Sequence, residues 1–422
     1  MFCEIVTIGD EICRGEIADT NASWLAAELW AVGVTVAWMT SVRDHEADMR
    51  AALETAARRA ELVLVSGGLG PTEDDLTVDV ASAIAGAEPE IHERSLEAMR
   101  ARYQALGYPV TDTNLRQVRT PRGARVYENP AGAAPGFEIV LGGTPLVFMP
   151  GFPRELKAIY QAGVGDRVRA LRDGREGGAE HIARRRYRTF GKGESLVASA
   201  VSGLADAYSG ASVHFQVQFP EVHVKVVVRD PDPGRAQEVL EILDAGIRER
   251  IGSYLFGTDD DSLPGVLGEA LSARGMTVAV AESCTGGLVG SLITQAPGSS
   301  AYFLGGAIAY ANGEKVRQLG VAEETLAGDG AVSEACALEM ARGARDRTGA
   351  DIAVAVTGVA GPGGGTDEKP VGLVWLAVAG RGTERTKRLM WPSARDQIQT
   401  ISAYWALKLC LDAAAQAGRD DG

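Results

Sequence analysis

Cysteine is scarce in this sequence, and its five occurrences, at 3, 13, 284, 336 and 410, are scattered. An odd, widely spaced set argues against a disulfide framework and shows none of the close pairings of a cysteine metal site, as expected of a reduced, cytoplasmic protein. No apolar run approaches the roughly 20 residues that cross a bilayer. The opening residues, MFCEIVTIGDE, lack the basic stretch and apolar segment of a secretion signal. Positive charge is also short: 42 Lys and Arg stand against 56 Asp and Glu, a net charge of −14. Such a field repels nucleic-acid phosphates, so neither a nucleic acid nor a membrane is an expected partner, although a local pocket for a small anion remains open. Histidine falls only at 45, 92, 181, 214 and 223, which leaves the chain beyond residue 223 without one. A serine–histidine pair is therefore excluded there.

Glycine, by contrast, is abundant at 52 residues, and in a folded enzyme such a surplus marks loops where backbone approaches a ligand. A length of 422 residues predicts two or three domains. The first 170 or so residues alternate strand-like runs (CEIVTIG, VTVAWMT, ELVLVSGG, PLVFMPG) with helical patterns, one of them spacing Trp24, Leu25, Leu29 and Val32. That alternation predicts a parallel sheet covered on both faces. A polar, glycine-rich stretch at 172–181 reads as a boundary, and GTDDDSLPG at 257–265 as a second. The domains are accordingly placed at 1–171, 172–256 and 257–422. The middle one reads as a small α+β unit and the last as a further α/β block. The basic cluster RRRYR (184–188) lies on a strand, which divides its arginines between two faces.

Two constellations carry chemistry. In VSGGLGPTEDDLT (65–77), Gly67, Gly68 and Gly70 follow a strand end and permit close ligand approach. Pro71 and Thr72 are expected to open a helix whose amides attract anions. Glu73, Asp74 and Asp75 crowd the same corner, a conflict that a divalent cation would resolve. First-turn acids complementing a helix dipole are the plain alternative. The loops at 9–21, 129–137 and 149–156 are expected to share this pocket. Neither a G-x-G-x-x-G turn after the first strand nor a Gly-Lys-Ser/Thr phosphate loop occurs.

The second constellation comprises AVAESCTGG (279–287), AYANGEK (309–315) and TGVAGPGGGTDEKPVG (357–372). Ser283 sits where a strand turns into a helix, and amides near Thr285, Gly286 and Gly287 could hold an oxyanion. Without histidine, Lys315 is the candidate base, since burial can bring a lysine toward neutrality, and Tyr310 could relay a proton or hold the lysine. Cys284 is a rival nucleophile. Thr357, Gly358, Gly361, Gly363 and Gly364 form a wall with little side chain that suits a ribose phosphate, and Arg395 could pair with that phosphate. A dehydrogenase using Ser, Tyr and Lys is disfavoured, because Tyr310 and Lys315 are five apart rather than four.

These motifs, GGLGPTEDDLT, NPAGAAPGF, AESCTGG, GAIAYANGEK and TGVAGPGGGTDEKPVG, resemble in order the CinA family over essentially the whole chain. The resemblance implies an N-terminal three-layer α/β/α domain like molybdopterin-binding proteins of the MoaB/MogA type, a small α+β KH-like middle domain and a C-terminal α/β amidase domain. It implies deamidation of nicotinamide mononucleotide (NMN) to nicotinate mononucleotide at the C-terminal domain, without a cofactor, by a serine, tyrosine and lysine that fall on Ser283, Tyr310 and Lys315. It further implies metal-dependent hydrolysis of ADP-ribose to AMP and ribose 5-phosphate at the N-terminal domain, with the metal on Asp74 and Asp75, and a homodimer. An N-terminal domain that only binds molybdopterin or a nucleotide is the alternative.

Overall fold

The computed structural model describes residues 1–174, 181–380 and 382–417; most of the stretch expected to separate the first two domains falls outside them. Two compact units result, Met1–Ala183 with Val228–Glu238, and Arg184–Val227 with Val239–Gly422.

The first unit is built on β1 (Phe2–Ile8), α1 (Thr20–Ala31), β2 (Thr35–Val42), α2 (Glu46–Arg59), β3 (Leu62–Ser66), α3 (Thr77–Ala85), β4 (Arg125–Tyr127), β5 (Gly136–Leu141), β6 (Thr144–Met149) and α4 (Pro153–Ile159). Its six strands run in the order β2-β1-β3-β6-β5-β4. Both faces of β1 and β3 are apolar, so both must be covered. Val6, Ile8, Val63 and Val65 pack with Met49 and Leu53 of α2. Cys3, Ile5, Leu62 and Leu64 face the other way, against Leu25 and Leu29 of α1 and Leu156 and Ile159 of α4. The result is the expected three-layer sandwich. The sheet is not wholly parallel, however: β1, β2, β3 and β6 pair in parallel, while β5 runs against them and pairs antiparallel with both β6 and β4. The cause is the turn between β5 and β6, where Gly142 and Gly143 both take positive φ (59° and 94°), the backbone of a two-residue hairpin.

In the middle part, β7 (His181–Phe190), α5 (Glu194–Val201), β8 (Ala211–Gln218), β9 (Glu221–Asp230), α6 (Pro233–Ile251) and β10 (Leu255–Thr258) form a four-stranded sheet of order β8-β9-β7-β10 with two helices. The basic cluster lies on β7. Arg185 meets Glu241 and Asp244, Arg186 meets Asp260, and Arg188 meets Glu221.

The C-terminal part contains α7 (Leu263–Ser272), β11 (Val278–Glu282), α8 (Leu288–Gln295), β12 (Phe303–Ile308), α9 (Asn312–Leu319), α10 (Glu334–Thr348), β13 (Ile352–Gly358), β14 (Leu373–Gly380), β15 (Thr383–Met390) and α11 (Arg395–Ala417). Its sheet has the order β12-β11-β13-β14-β15, parallel through the first three strands and antiparallel thereafter. The central strands alternate in size rather than polarity. Val278, Val280, Val354, Val356 and Leu376 face α7 and α11, whereas Ala279, Ala281, Ala353, Ala355 and Ala377 face α10, whose own surface is Cys336, Ala337, Met340 and Ala341. Small residues on both sides let α10 approach the sheet closely. The polar sequence of β15, TERTKRLM, suits an edge strand, where charge opposes sheet-to-sheet pairing.

Candidate active site

In the C-terminal part the site lies beyond the carboxyl ends of β11 and β13, where open α/β sheets leave a crevice. β11 ends at Glu282, and the Ser283 amide donates to the Val356 carbonyl at 2.9 Å, holding the serine at the carboxyl end of the central strands. Gly286 and Gly287 then take positive φ (62° and 102°), which turns the chain into α8.

The buried Glu282 carboxylate accepts from the amides of Gly287, Val289 and Gly290 at 2.9, 3.0 and 2.8 Å. It thus caps the start of α8 from inside the fold. The Gly286 amide donates to the Ser283 carbonyl. Of the amides expected near Thr285, Gly286 and Gly287 to hold an oxyanion, those of Gly286 and Gly287 are therefore committed elsewhere, which leaves Thr285 with its neighbour Cys284. The Thr285 hydroxyl, on the same turn, is buried and has no hydrogen-bond partner among the described residues.

Lys315 enters from α9 and is 1% exposed, while Ser283 is 7% exposed. Its Nζ lies 3.0 Å from Ser283 Oγ and donates to the carbonyls of Ala309 at 2.8 Å and Tyr310 at 3.3 Å. Burial lowers the lysine's pKa below its ordinary value. Burial acts oppositely on Cys284, whose thiol is pushed up to about 12 and is not a ready nucleophile at neutral pH.

Tyr310 is placed differently from expectation. The residue is 60% exposed, and its hydroxyl accepts from Arg395 Nη2 at 3.0 Å. Lysine and tyrosine meet through the tyrosine's carbonyl. Among the described residues no hydrogen bond joins the Tyr310 hydroxyl to Ser283 or Lys315. Arg395 also donates to the Gly361 carbonyl at 2.7 Å, and Gln399, one helical turn on, donates to the Cys284 carbonyl at 2.8 Å. The first turns of α11 thereby tie together the three motifs singled out in the sequence. Gly363 and Gly364 are exposed in the glycine loop, and Gly358 ends β13. The Thr357 hydroxyl is committed to the Ala331 carbonyl. Sequence reasoning missed Glu282 and Gln399; the spacing of Gln399 four residues after Arg395 was the available signal.

In the first unit a cleft of about 470 Å³ opens beyond β1, β3 and β6, lined by Ser66, Gly70, Thr72 and Asp75 together with Glu11, Asp19 and Glu155. Gly67 and Gly68 take positive φ (113° and 67°), and a side chain on either would collide with Ile8 or Thr77. The expected helix at Pro71 is absent: α3 begins at Thr77. Asp75 is the cause. Its carboxylate accepts from the amides of Gly70 (2.7 Å) and Thr72 (2.8 Å) and from the Thr72 hydroxyl (2.6 Å), which winds residues 70–75 into a closed loop. Those amides are unavailable to an anion, and Asp75 is occupied as a loop-closing acceptor. Asp74 is exposed. It belongs to an acidic corner with Asp10, Glu11 and Asp44: burial raises the Asp44 pKa, and the charges of Glu11, Asp10 and Asp74 raise it further. Asp75 is thus turned into its own loop while Asp74 is exposed, and among the described residues no group of three or more metal-ligating side chains is assembled. Asp10 lies in the 9–21 loop expected at this pocket, whereas Asp44 escaped the sequence reading although it follows the end of a parallel strand.

Three family models match the chain: a probable molybdopterin binding domain over residues 4–170, a damage-inducible protein CinA KH domain over 184–257 and a CinA C-terminal domain over 260–414. A putative competence-damage inducible protein of Symbiobacterium thermophilum is 43% identical over 91% of this chain and 90% of its own length. The chain belongs to the CinA family. A CinA-like protein of Anaeromyxobacter dehalogenans is 42% identical over 97% of this chain and 98% of its own. The competence/damage inducible protein CihA of Agrobacterium tumefaciens, a solved structure, is 41% identical, with 37% of this chain and 97% of that one covered and a TM-score of 0.35. In CinA terms, the paired Ser283 and Lys315 lie in the C-terminal domain and the acidic cleft in the molybdopterin-binding-like domain. No helix among the described residues is long and apolar enough to cross a membrane.

Proposed function

We propose that the C-terminal domain is an amidase acting on NMN, with Ser283 as nucleophile and Lys315 as base. The observation that carries this reading is the buried Lys315 Nζ at 3.0 Å from Ser283 Oγ. A neutral amine has two N–H donors and one lone pair. With the two donors on the carbonyls of Ala309 and Tyr310, the lone pair is left for the serine proton. Ser283 Oγ attacks the carboxamide carbon as its proton passes to Lys315. The tetrahedral oxyanion is held by the amides of Cys284 and Thr285, and the lysine returns the proton to the departing ammonia. Water then attacks the acyl-serine as Lys315 takes its proton, and the lysine returns that proton to Ser283 Oγ as the acyl bond breaks and nicotinate mononucleotide leaves. Arg395 and the glycine loop supply the phosphate end of the site.

This mechanism requires Lys315 to be neutral before attack. The rate constant kcat/KM should therefore rise with pH on a single ionisation whose midpoint lies below the ordinary lysine value of 10.5. Stability shares the sign: the folded pKa is the lower one, so between the two values the unfolded chain binds the extra proton and stability increases with pH. A pH–rate profile for NMN, with Lys315→Arg as comparison, checks this. A rate that falls across that window would contradict it.

A second reading concerns the cleft of the first unit and ADP-ribose. Four carboxylates line that cleft, and its lining contains neither lysine nor arginine. A diphosphate entering it meets like charge and needs a counter-cation; the hard oxygens of Glu11 in the cleft wall, and of Asp74 in the acidic corner outside the lining, suit a divalent ion, whereas the Asp75 carboxylate is already engaged in its own loop. ADP-ribose should accordingly bind, by calorimetry, with Mg²⁺ or Mn²⁺ present and not in excess chelator. Equal affinity in both would remove the metal requirement. Binding without release of AMP would favour a non-catalytic nucleotide-binding module.

A further inference from the structure

We propose that the Tyr310 hydroxyl is a positioning group for Arg395 at the phosphate end of the amidase site, and not a proton relay to Ser283. The proposal rests on the NMN reading and assigns Tyr310 a different part in it. Three observations carry it. The hydroxyl accepts from Arg395 Nη2 at 3.0 Å, and the same guanidinium donates through Nη1 to the Gly361 carbonyl at 2.7 Å. Two acceptors on different segments fix a planar fork, leaving its remaining N–H groups to face an anion. Next, Lys315 already has its acceptors: the carbonyls of Ala309 and Tyr310 and the serine hydroxyl surround Nζ, so the serine proton reaches the lysine directly. A relay has no gap to bridge. Finally, Tyr310 is largely exposed, whereas Ser283 and Lys315 are buried. That places the ring on the rim of the site, where a substrate's phosphate, rather than its reacting carbon, remains in contact with solvent.

The two roles separate kinetically. A relay acts on the chemical step, whereas a residue that orients a phosphate ligand acts on binding of substrate and transition state alike. Tyr310→Phe removes the hydroxyl and keeps the ring. It should raise KM for NMN about 3- to 10-fold, the range for losing one hydrogen bond of ordinary strength, with kcat within about twofold of wild type. In an Arg395→Gln background the same change should alter neither constant, because the group it holds is gone. For nicotinamide riboside, which lacks the phosphate, Tyr310→Phe should have no effect in either background.

Calorimetric titration of nicotinate mononucleotide into the same full-length variants reads the binding effect without turnover. A wild-type chain that binds this nucleotide and loses affinity on Tyr310→Phe, yet does not hydrolyse NMN, sinks the amidase reading and leaves the positioning role standing. A kcat lower by about 100-fold or more with unchanged KM, in both backgrounds and for both substrates, makes Tyr310 a relay and overturns the proposal. Unaltered KM, kcat and affinity overturn it as well.

Discussion

Ser283→Ala should abolish NMN deamidation in a folded chain, with a loss of about four or more powers of ten in kcat, as when an enzymatic nucleophile is removed. Cys284→Ala should keep most of the activity. The two residues are adjacent, but their surroundings differ. Ser283 Oγ is the partner of Lys315 Nζ, whereas the Cys284 thiol is buried with its pKa pushed up to about 12. Replacing that thiol removes a small packing group, so its main cost falls on stability, at about 1 kcal/mol or a little more. Steady-state rates and thermal melts of both variants check the expectation. An essential cysteine with a dispensable serine would make the site a thiol amidase.

Lys315→Met should be almost as damaging. Methionine approximates the length of the lysine stem but has no amine to take the serine proton. The expected loss in kcat is about three or more powers of ten, and the double variant with Ser283→Ala should fall no further than the worse single one, since the two groups act as a unit. A fall in the double variant equal to the product of the two single losses would mean that lysine and serine act independently. The folded state should tolerate the change, because an amine held at 1% exposure already carries a desolvation cost that the thioether does not.

Much of this was legible in the sequence, for physical reasons that can be named. Strands such as VAVAE and IAVAV are buried on both faces and announce themselves by continuous apolar runs. The Ser283 turn was legible because two glycines after a strand end leave few other backbones. Lys315 emerged once the absence of histidine beyond residue 223 removed the usual base. What escaped was decided by pairing in space. The hairpin that reverses β5 depends on Gly142–Gly143 joining two strands, and the reading for alternating strand and helix passed over it. Asp75 looked like a metal ligand because its sequence neighbours are acidic; in the fold its carboxylate closes its own loop. Tyr310 looked like a relay because it lies five residues from Lys315, yet its hydroxyl meets Arg395, 85 residues away. Glu282 gave no signal at all, since a carboxylate that serves three backbone amides leaves no partner side chain to notice.

Cleavage of the NMN carboxamide by Ser283 and Lys315 can be followed by incubating the whole chain with NMN in ¹⁸O-labelled water and excess chelator, and analysing the products by mass spectrometry. Equimolar ammonia and nicotinate mononucleotide are expected, with one ¹⁸O in the new carboxylate and none in the phosphate. Release of nicotinamide and ribose 5-phosphate, which is cleavage at the glycosidic bond, or unchanged NMN in the presence of the folded protein, would contradict it.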